Sequence, residues 1–234
     1  MRVGVDGRKI PEAAERGPLR SLDHARELGM EGLFFRTVLE MSPALDPGEL
    51  REIRAHADAL GLYLETGLGK VNPYATPETP ELRRIGDGDI RRGFERMMRA
   101  CAAIGCTELW VGTANYKIEY YGYWCYDRFR TDAPWPDQLV ATEKFLKLLA
   151  PVARDLGIHL NLETHEEITS FEVVRLVEAV GPDVTGIVFD TANVLQRGEH
   201  PVAAAHRVAP YVRQTHIKDT LLFFAEDGVK RQVR

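Results

Sequence analysis

Short apolar runs alternate with longer stretches of helical periodicity along the whole chain. The apolar runs are rich in Val, Ile, Leu and Phe, and in the stretches that follow them apolar residues recur every three or four positions. This alternation is typical of βα units, in which helices connect parallel strands. It predicts seven strands, at 2–6, 32–36, 62–66, 108–111, 159–163, 186–190 and 212–218.

Six helices are predicted between these strands, at about 21–28, 47–60, 89–104, 136–156, 170–180 and 201–208. Ser21 is a candidate N-cap for the first, and Pro151 is expected to kink or break the fourth. Four of the helices end in Leu-Gly or Ile-Gly just before the next strand, with the glycine as the stop signal.

The repeating unit fits a (β/α)₈ barrel, and it also fits a doubly wound sheet. Neither a GxGxxG pattern after the first strand nor a Walker loop occurs, so the nucleotide-binding folds lose support. We therefore predict an α/β fold, a TIM barrel formed by a single domain over residues 1–234. A closed barrel needs an eighth strand, so the predicted domain lacks its eighth βα unit and is incomplete at its C-terminal end.

Composition excludes several classes of partner. The net charge of -5 gives the chain no electrostatic reason to bind nucleic acid or a membrane surface. No signal-peptide pattern opens the sequence, and no apolar run approaches the ~20 residues of a membrane span. The sequence has three cysteines, and no two of them are spaced as a CxxC pair: Cys101, Cys106 and Cys125. This argues against a disulfide framework and favours buried thiols. We expect a soluble, cytoplasmic protein.

Residues at the carboxyl ends of barrel strands form the active site in this fold. The fifth, sixth and seventh strands each end with a residue that can bind a metal: Glu163, Asp190 and His216. Any one of them alone could equally cap a helix or bind a loop amide. Their coincidence on three consecutive strands predicts a site for one divalent ion, since two carboxylates and an imidazole suit Mn²⁺, Mg²⁺, Co²⁺ or Zn²⁺.

The motifs NLETHE, VFDTAN and THIKD occur in that order, with 27 residues from Glu163 to Asp190 and 26 from Asp190 to His216. By these motifs and their spacing, the segment 161–219 resembles the core of the xylose-isomerase-like sugar isomerase/epimerase superfamily. The resemblance implies one metal ion, which we expect to be Mn²⁺, held by a Glu, an Asp, a His and a second Glu from an eighth strand. The first three correspond to Glu163, Asp190 and His216. The fourth is expected after His216, beyond residue 234.

The resemblance implies a divalent-metal-dependent isomerase or epimerase of a sugar or polyol ketone. Proton transfer through a metal-stabilised enediolate is the expected mechanism, with Glu163 as one acid/base group. For Arg36, a polar pocket wall and an internal ion pair are both open. The candidate substrate-binding residues are His165, Lys218, Asn193, Arg36 and Trp110.

Two other functions stay open. A lyase could use the same enolisation on an inosose or a C-glycoside, and a non-catalytic barrel subunit would explain the missing second Glu. The DNA-repair endonuclease branch of the superfamily is disfavoured, because Asn193 stands where that branch has a metal-binding His.

An aromatic loop at 115–135 carries five Tyr residues, one Phe residue and two Trp residues among its polar ones. Aromatic faces could cover a sugar or glycoside substrate, or they could form a homo- or hetero-oligomer interface, where Tyr and Trp are enriched.

Overall fold

The computed structural model describes residues 2–75, 80–113, 133–226 and 228–233. The chain divides into two compact units. The first comprises Met1–Gly69, Pro80–Trp110 and Val152–Ile158, and the second comprises Lys70–Thr79, Val111–Pro151 and His159–Arg234.

In the first unit, three strands pair in parallel and in chain order: β1 (Gly4–Asp6), β2 (Gly32–Phe34) and β3 (Tyr63–Lys70). The helices between and after them are α1 (Ala13–Glu27), α2 (Pro47–Ala59), α3 (Pro80–Ile85) and α4 (Ile90–Ala103), and β4 (Glu108–Gly112) follows. Parallel strands that neighbour one another in chain order are the barrel pattern, because a doubly wound sheet reverses its strand order.

Local sequence signals explain where these helices begin and end. Asp46 caps α2 by accepting hydrogen bonds from the amides of Gly48 and Glu49, and Asp89 caps α4 in the same way. The predicted stop signals are confirmed, because the four glycines that follow α1, α2, α4 and the later helix α5 (Trp135–Asp155) all have a positive φ: Gly29, Gly61, Gly105 and Gly157.

In the second unit, three further strands pair in parallel and in chain order: β5 (His159–Glu163), β6 (Thr185–Asp190) and β7 (Val212–His216). Leu160, Leu162 and Ile187 are fully buried and form part of its core. The connecting helices are α6 (Ser170–Val180), α7 (Thr191–Gln196) and α8 (Pro201–Val208). An antiparallel hairpin follows β7, made of β8 (Thr220–Ala225) and β9 (Gly228–Val233).

Two predicted helix signals are wrong. Helix α1 begins at Ala13, so Ser21 lies inside it and donates its hydroxyl proton to the carbonyl of Gly17 at 2.9 Å. Gly17 interrupts the helix with a φ of 76°, because the residue before a proline avoids helical backbone. Helix α5 (Trp135–Asp155) continues through Pro151. Pro151 lies in its last turns, and the helix loses one backbone hydrogen bond there because proline has no N–H group.

Other differences concern element boundaries. Strand β3 runs on to Lys70, β7 ends at His216, and the short helices α3 and α7 and the β8–β9 hairpin were not predicted.

Cys101 and Cys106 are buried free thiols as predicted, and burial raises the pKa of Cys106 to about 11. Cys125 and most of the aromatic loop, from 115 to 132, lie outside the described residues. No helix in the described part of the chain is long and apolar enough to cross a membrane.

Candidate metal centre

Glu163, Asp190 and His216 are the last residues of β5, β6 and β7. Asp190 pairs with His216 in the β6–β7 register, and parallel pairing places the three carboxyl ends side by side. His216 Nδ1 lies 3.0 Å from Glu163 Oε1 and 4.0 Å from Asp190 Oδ2. One possible ligand atom from each residue lies within 4.8 Å of the others. The structure therefore brings the three predicted ligands together.

The two carboxylate oxygens of Asp190 make different contacts. Its Oδ1 accepts hydrogen bonds from the amides of Ala192 (3.0 Å) and Asn193 (2.9 Å), which caps the start of α7. Its Oδ2 faces His216 and Lys218 instead. The helix cap thus fixes the carboxylate without using the oxygen that faces the cluster, so Asp190 can cap a helix and bind a metal.

Lys218 lies against both carboxylates. Its Nζ is 2.5 Å from Asp190 Oδ2 and 3.7 Å from Glu163 Oε1. The Thr191 hydroxyl donates to the carbonyl of Lys218 at 2.9 Å, and the same oxygen is 3.2 Å from the Lys218 amide. The first residue of α7 therefore holds the backbone of Lys218, which carries the ammonium group towards the predicted ligands.

Asn193 is buried one turn into α7, and its Nδ2 donates to Glu163 Oε1 at 3.3 Å. That side chain therefore contacts a predicted ligand directly. Its amide group orients the Glu163 carboxylate in the same way that outer hydrogen bonds orient metal ligands in other proteins.

The pKa values of the two buried carboxylates are shifted in opposite directions. Burial and the charge of Glu163 raise the pKa of Asp190 to about 6. Burial would also raise the pKa of Glu163, but the hydrogen bond with His216 and the positive charges nearby outweigh it and lower that pKa well below its ordinary value. Burial opposes protonation of His216, yet Glu163 raises its pKa. At neutral pH, Glu163 therefore stays ionised while its neighbours titrate.

A second polar cluster follows Glu163 directly. His165 Nδ1 lies 3.1 Å from Glu166 Oε2 and makes a short hydrogen bond with Glu167, which also accepts one from the Thr113 hydroxyl. Burial would raise the pKa of Glu167, but the charge and hydrogen bond of His165 lower it to about 2. Glu166 and Glu167 were not among the predicted site residues, although the run ETHEE after a strand was the available signal.

Arg36 and Trp110 belong to the first unit. Arg36 Nη2 donates to Asp6 Oδ2 at 3.1 Å, which is the internal ion pair left open by the sequence. Trp110 is buried and packs edge-to-face against Phe34, with ring centroids 6.1 Å apart. A role in substrate binding stays a prediction for both residues.

The donor set fits a divalent cation. Glu163 and Asp190 supply two buried carboxylates whose charges repel, and Lys218 offsets that charge only in part. His216 adds an imidazole, and this mixture of oxygen and nitrogen ligands suits hard to borderline ions.

The sequence is similar to one protein family and to several curated proteins. A model of the xylose isomerase-like TIM barrel family matches residues 22–230. The 3-oxo-isoapionate decarboxylase of Pectobacterium atrosepticum is 27% identical over 186 residues, 79% of this chain and 54% of that protein. The inosose dehydratase of Geobacillus kaustophilus is 28% identical over 89 residues, 38% of this chain and 29% of that protein. The chain thus spans about half the length, or less, of these relatives.

Solved structures show the same fold. The 3-keto-D-glucoside 4-epimerase of E. coli aligns with a TM-score of 0.69 at 16% identity, over 94% of this chain and 79% of that chain. A xylose isomerase-like TIM barrel protein of Mycobacterium smegmatis, solved in complex with magnesium, aligns with a TM-score of 0.67 at 20% identity, over 92% and 71%. The predicted TIM-barrel fold is confirmed, and the chain belongs to the xylose isomerase-like TIM barrel family.

Proposed function

We propose that this chain is a divalent-metal-dependent isomerase or epimerase that transfers a proton next to the carbonyl of a sugar or polyol ketone. One observation carries the proposal. Three consecutive parallel strands end in Glu163, Asp190 and His216, whose ligand atoms lie within 4.8 Å of one another. Membership of the family, which includes sugar epimerases among its structural neighbours, supports it further.

The residues divide the work as follows. Glu163, Asp190 and His216 would hold the metal, for which we propose Mn²⁺, with Mg²⁺, Co²⁺ and Zn²⁺ as alternatives. Such an ion acts as a Lewis acid that stabilises the negative charge of an enolised substrate. Glu163 is ionised at neutral pH and can accept the proton from carbon. Lys218 and His165 are the proposed partners of substrate oxygens, with Asn193 orienting Glu163.

A lyase is the second candidate function. Both curated relatives named above are lyases, a decarboxylase and a dehydratase, and the first matches 79% of this chain. A dehydration would begin with the same proton abstraction beside a carbonyl and then expel water, whereas a decarboxylation would form the same negative charge as carbon dioxide leaves. Substrate specificity would then reside in residues beyond the three ligands.

Sugars or glycosides are the proposed partners, and neither nucleic acid nor a membrane is proposed. We place the activity in the cytoplasm and propose the loop at 115–135 as a substrate cover or an oligomer interface. Asn193 would contact Glu163 rather than bind a further metal of a DNA-repair cluster.

Hydrogen–deuterium exchange at carbon tests the proposal directly. The purified chain is loaded with Mn²⁺ and incubated in D₂O with keto sugars, inososes and sugar acids that carry a keto group β to the carboxylate, and deuterium incorporation and products are followed by NMR. We expect exchange at the carbon next to the carbonyl, and its loss in Glu163→Gln but not in the surface control Glu143→Gln. Release of carbon dioxide or water would identify the lyase. Metal binding without exchange or product on any substrate would refute both and favour the non-catalytic subunit.

A further inference from the structure

A cavity in the first unit has no role in the chemistry proposed above. It has a volume of about 600 Å³ and is lined by residues of α2, α3, α4 and the loop before α2. Cavities of roughly 300–1,000 Å³ are the size that small-molecule ligands occupy in proteins. All of its lining residues belong to the same compact unit, so its existence does not depend on the metal centre.

The lining of this cavity combines positive charge with apolar surface. The four arginines that line it are Arg51, Arg84, Arg96 and Arg99. Its other lining residues are apolar, and none of them is acidic. The chain as a whole carries a net charge of -5, so average composition does not explain the concentration of arginines here.

Protein groups neutralise these four charges only in part. Arg96 forms an ion pair with Asp87 at 2.9 Å, and Asp87 is shared with Arg92. Arg84 donates to the backbone carbonyl of Pro43 at 3.2 Å. Arg51 and Arg99 make no ion pair or hydrogen bond with any side chain in the described part of the chain. Within the described residues, Asp87 is therefore the one carboxylate that forms an ion pair with any of these four arginines, and a bound anion would relieve the repulsion among their charges.

The remaining surface of the cavity suits an apolar group. Leu50, Ile85 and Ile104 are buried side chains that line it, and the small side chains of Ala100 and Ala103 leave its volume open. Burial of an apolar ligand group against them is favourable in proportion to the area removed from water.

We propose that this cavity binds a small molecule that carries a phosphate monoester on an apolar body. A guanidinium group presents a planar fork of donors that matches phosphate oxygens two at a time. A phosphate dianion offsets the surplus of positive charge better than a single carboxylate does, and the apolar lining receives the rest of the molecule. The binding is independent of the proposed isomerase or lyase activity.

Calorimetric titration of the full chain with phenyl phosphate tests this site. We expect saturable binding, with inorganic phosphate and phenol each binding at least about 10-fold more weakly, because each supplies only half of the recognition. The double variant Arg51→Gln/Arg99→Gln is expected to bind phenyl phosphate about 100-fold more weakly, since it loses two charge-assisted contacts.

Two further variants keep the result interpretable. Arg20→Gln/Arg175→Gln removes the same charge from exposed positions outside the cavity and should leave the affinity unchanged. Ala103→Phe fills the cavity without changing any charge, and it should abolish binding. Circular-dichroism melting checks that each variant is folded.

Several outcomes would overturn the proposal. These are the absence of saturable binding, equal affinity of the wild type and the Arg51→Gln/Arg99→Gln variant, or binding of benzoate as tight as that of phenyl phosphate. Self-association of the wild type that Ala103→Phe abolishes, without phosphate binding, would instead identify the cavity as an interface between copies.

Discussion

Lys218 places its ammonium nitrogen 2.5 Å from Oδ2 of Asp190, the carboxylate whose other oxygen caps helix α7. The ammonium group also lies 3.7 Å from Oε1 of Glu163. One protein cation thus partly offsets two buried carboxylates that are predicted to share a metal ion. Metal binding and the Lys218 contact therefore compete for the same negative charge.

Removing the ammonium group of Lys218 should make the stability of the protein depend more strongly on bound metal. In Lys218→Met, Asp190 and Glu163 lose a compensating charge, and we expect the free energy of unfolding to fall by about 1–3 kcal/mol without metal. Added Mn²⁺ should then raise the melting temperature more in the variant than in the wild type, because it supplies the missing positive charge. Thermal unfolding with EDTA or with Mn²⁺ measures both effects.

Lys147→Met is the matched control for this prediction. Lys147 forms an exposed pair with Glu143 on α5, so its loss should change stability by less than about 1 kcal/mol and leave the Mn²⁺ response unchanged. If Lys218→Met behaves like this control, Lys218 does not compensate the carboxylates.

Asp190 offers a way to separate helix capping from metal binding. Asp190→Asn retains an oxygen that can accept from the amides of Ala192 and Asn193, but it loses the charge that faces the cluster. We expect nearly unchanged secondary structure and loss of the Mn²⁺ stabilisation, which for the wild type is about 2.7 kcal/mol at 100 times the dissociation constant. Asp190→Ala should lose both the metal response and about 1 kcal/mol of capping. A full metal response in Asp190→Asn would remove Asp190 from the ligand set.

The metal-free protein should lose stability as the pH rises through neutrality. The folded pKa of Asp190 is about 6 against an ordinary 3.8, and that of His216 is also raised. The folded state therefore binds more protons than the unfolded state over this range, and the stability from those protons is lost as pH rises through the folded pKa values. Glu163 stays ionised throughout, because its pKa is lowered.

Chemical unfolding in EDTA between about pH 5 and pH 8 measures this dependence. The slope should flatten in Asp190→Asn, which cannot take up the proton. Metal stabilisation should have the opposite trend and increase with pH, because protons and the metal compete for His216 and Asp190. A metal-free protein that is most stable at the alkaline end would contradict the assigned pKa shifts.

The proximity of the three predicted ligands could be foreseen from the sequence because parallel strands align their carboxyl ends. Once Glu163, Asp190 and His216 are assigned to the ends of consecutive strands, their proximity follows from topology alone. The same reasoning cannot tell which oxygen of Asp190 caps α7, since that depends on the angle at which the helix begins.

Contacts between side chains that are far apart in the sequence could not be predicted from the strand pattern. Thr113 and Glu167 are 54 positions apart, and nothing in the local pattern around either residue indicates their hydrogen bond. The hairpin β8–β9 was missed for a different reason. Its first strand has exposed residues such as Leu221 and Phe224, so burial does not produce a clear alternation of apolar and polar positions.

His165 allows substrate binding to be tested apart from metal binding. Its Nδ1 is held by Glu166 and Glu167, so the ring has a fixed orientation, and it supplies none of the three predicted ligand atoms. In His165→Ala we expect the Mn²⁺-dependent rise in melting temperature to persist, while the rate of deuterium exchange at the substrate carbon falls by about 10²-fold or more, the range typical for a positioned polar or acid/base group. Thr113→Val should have a smaller effect, because it removes only one hydrogen bond from Glu167 and leaves His165 in place. If His165→Ala abolishes the metal response as well, His165 belongs to the metal centre, and the separation of the two clusters is wrong.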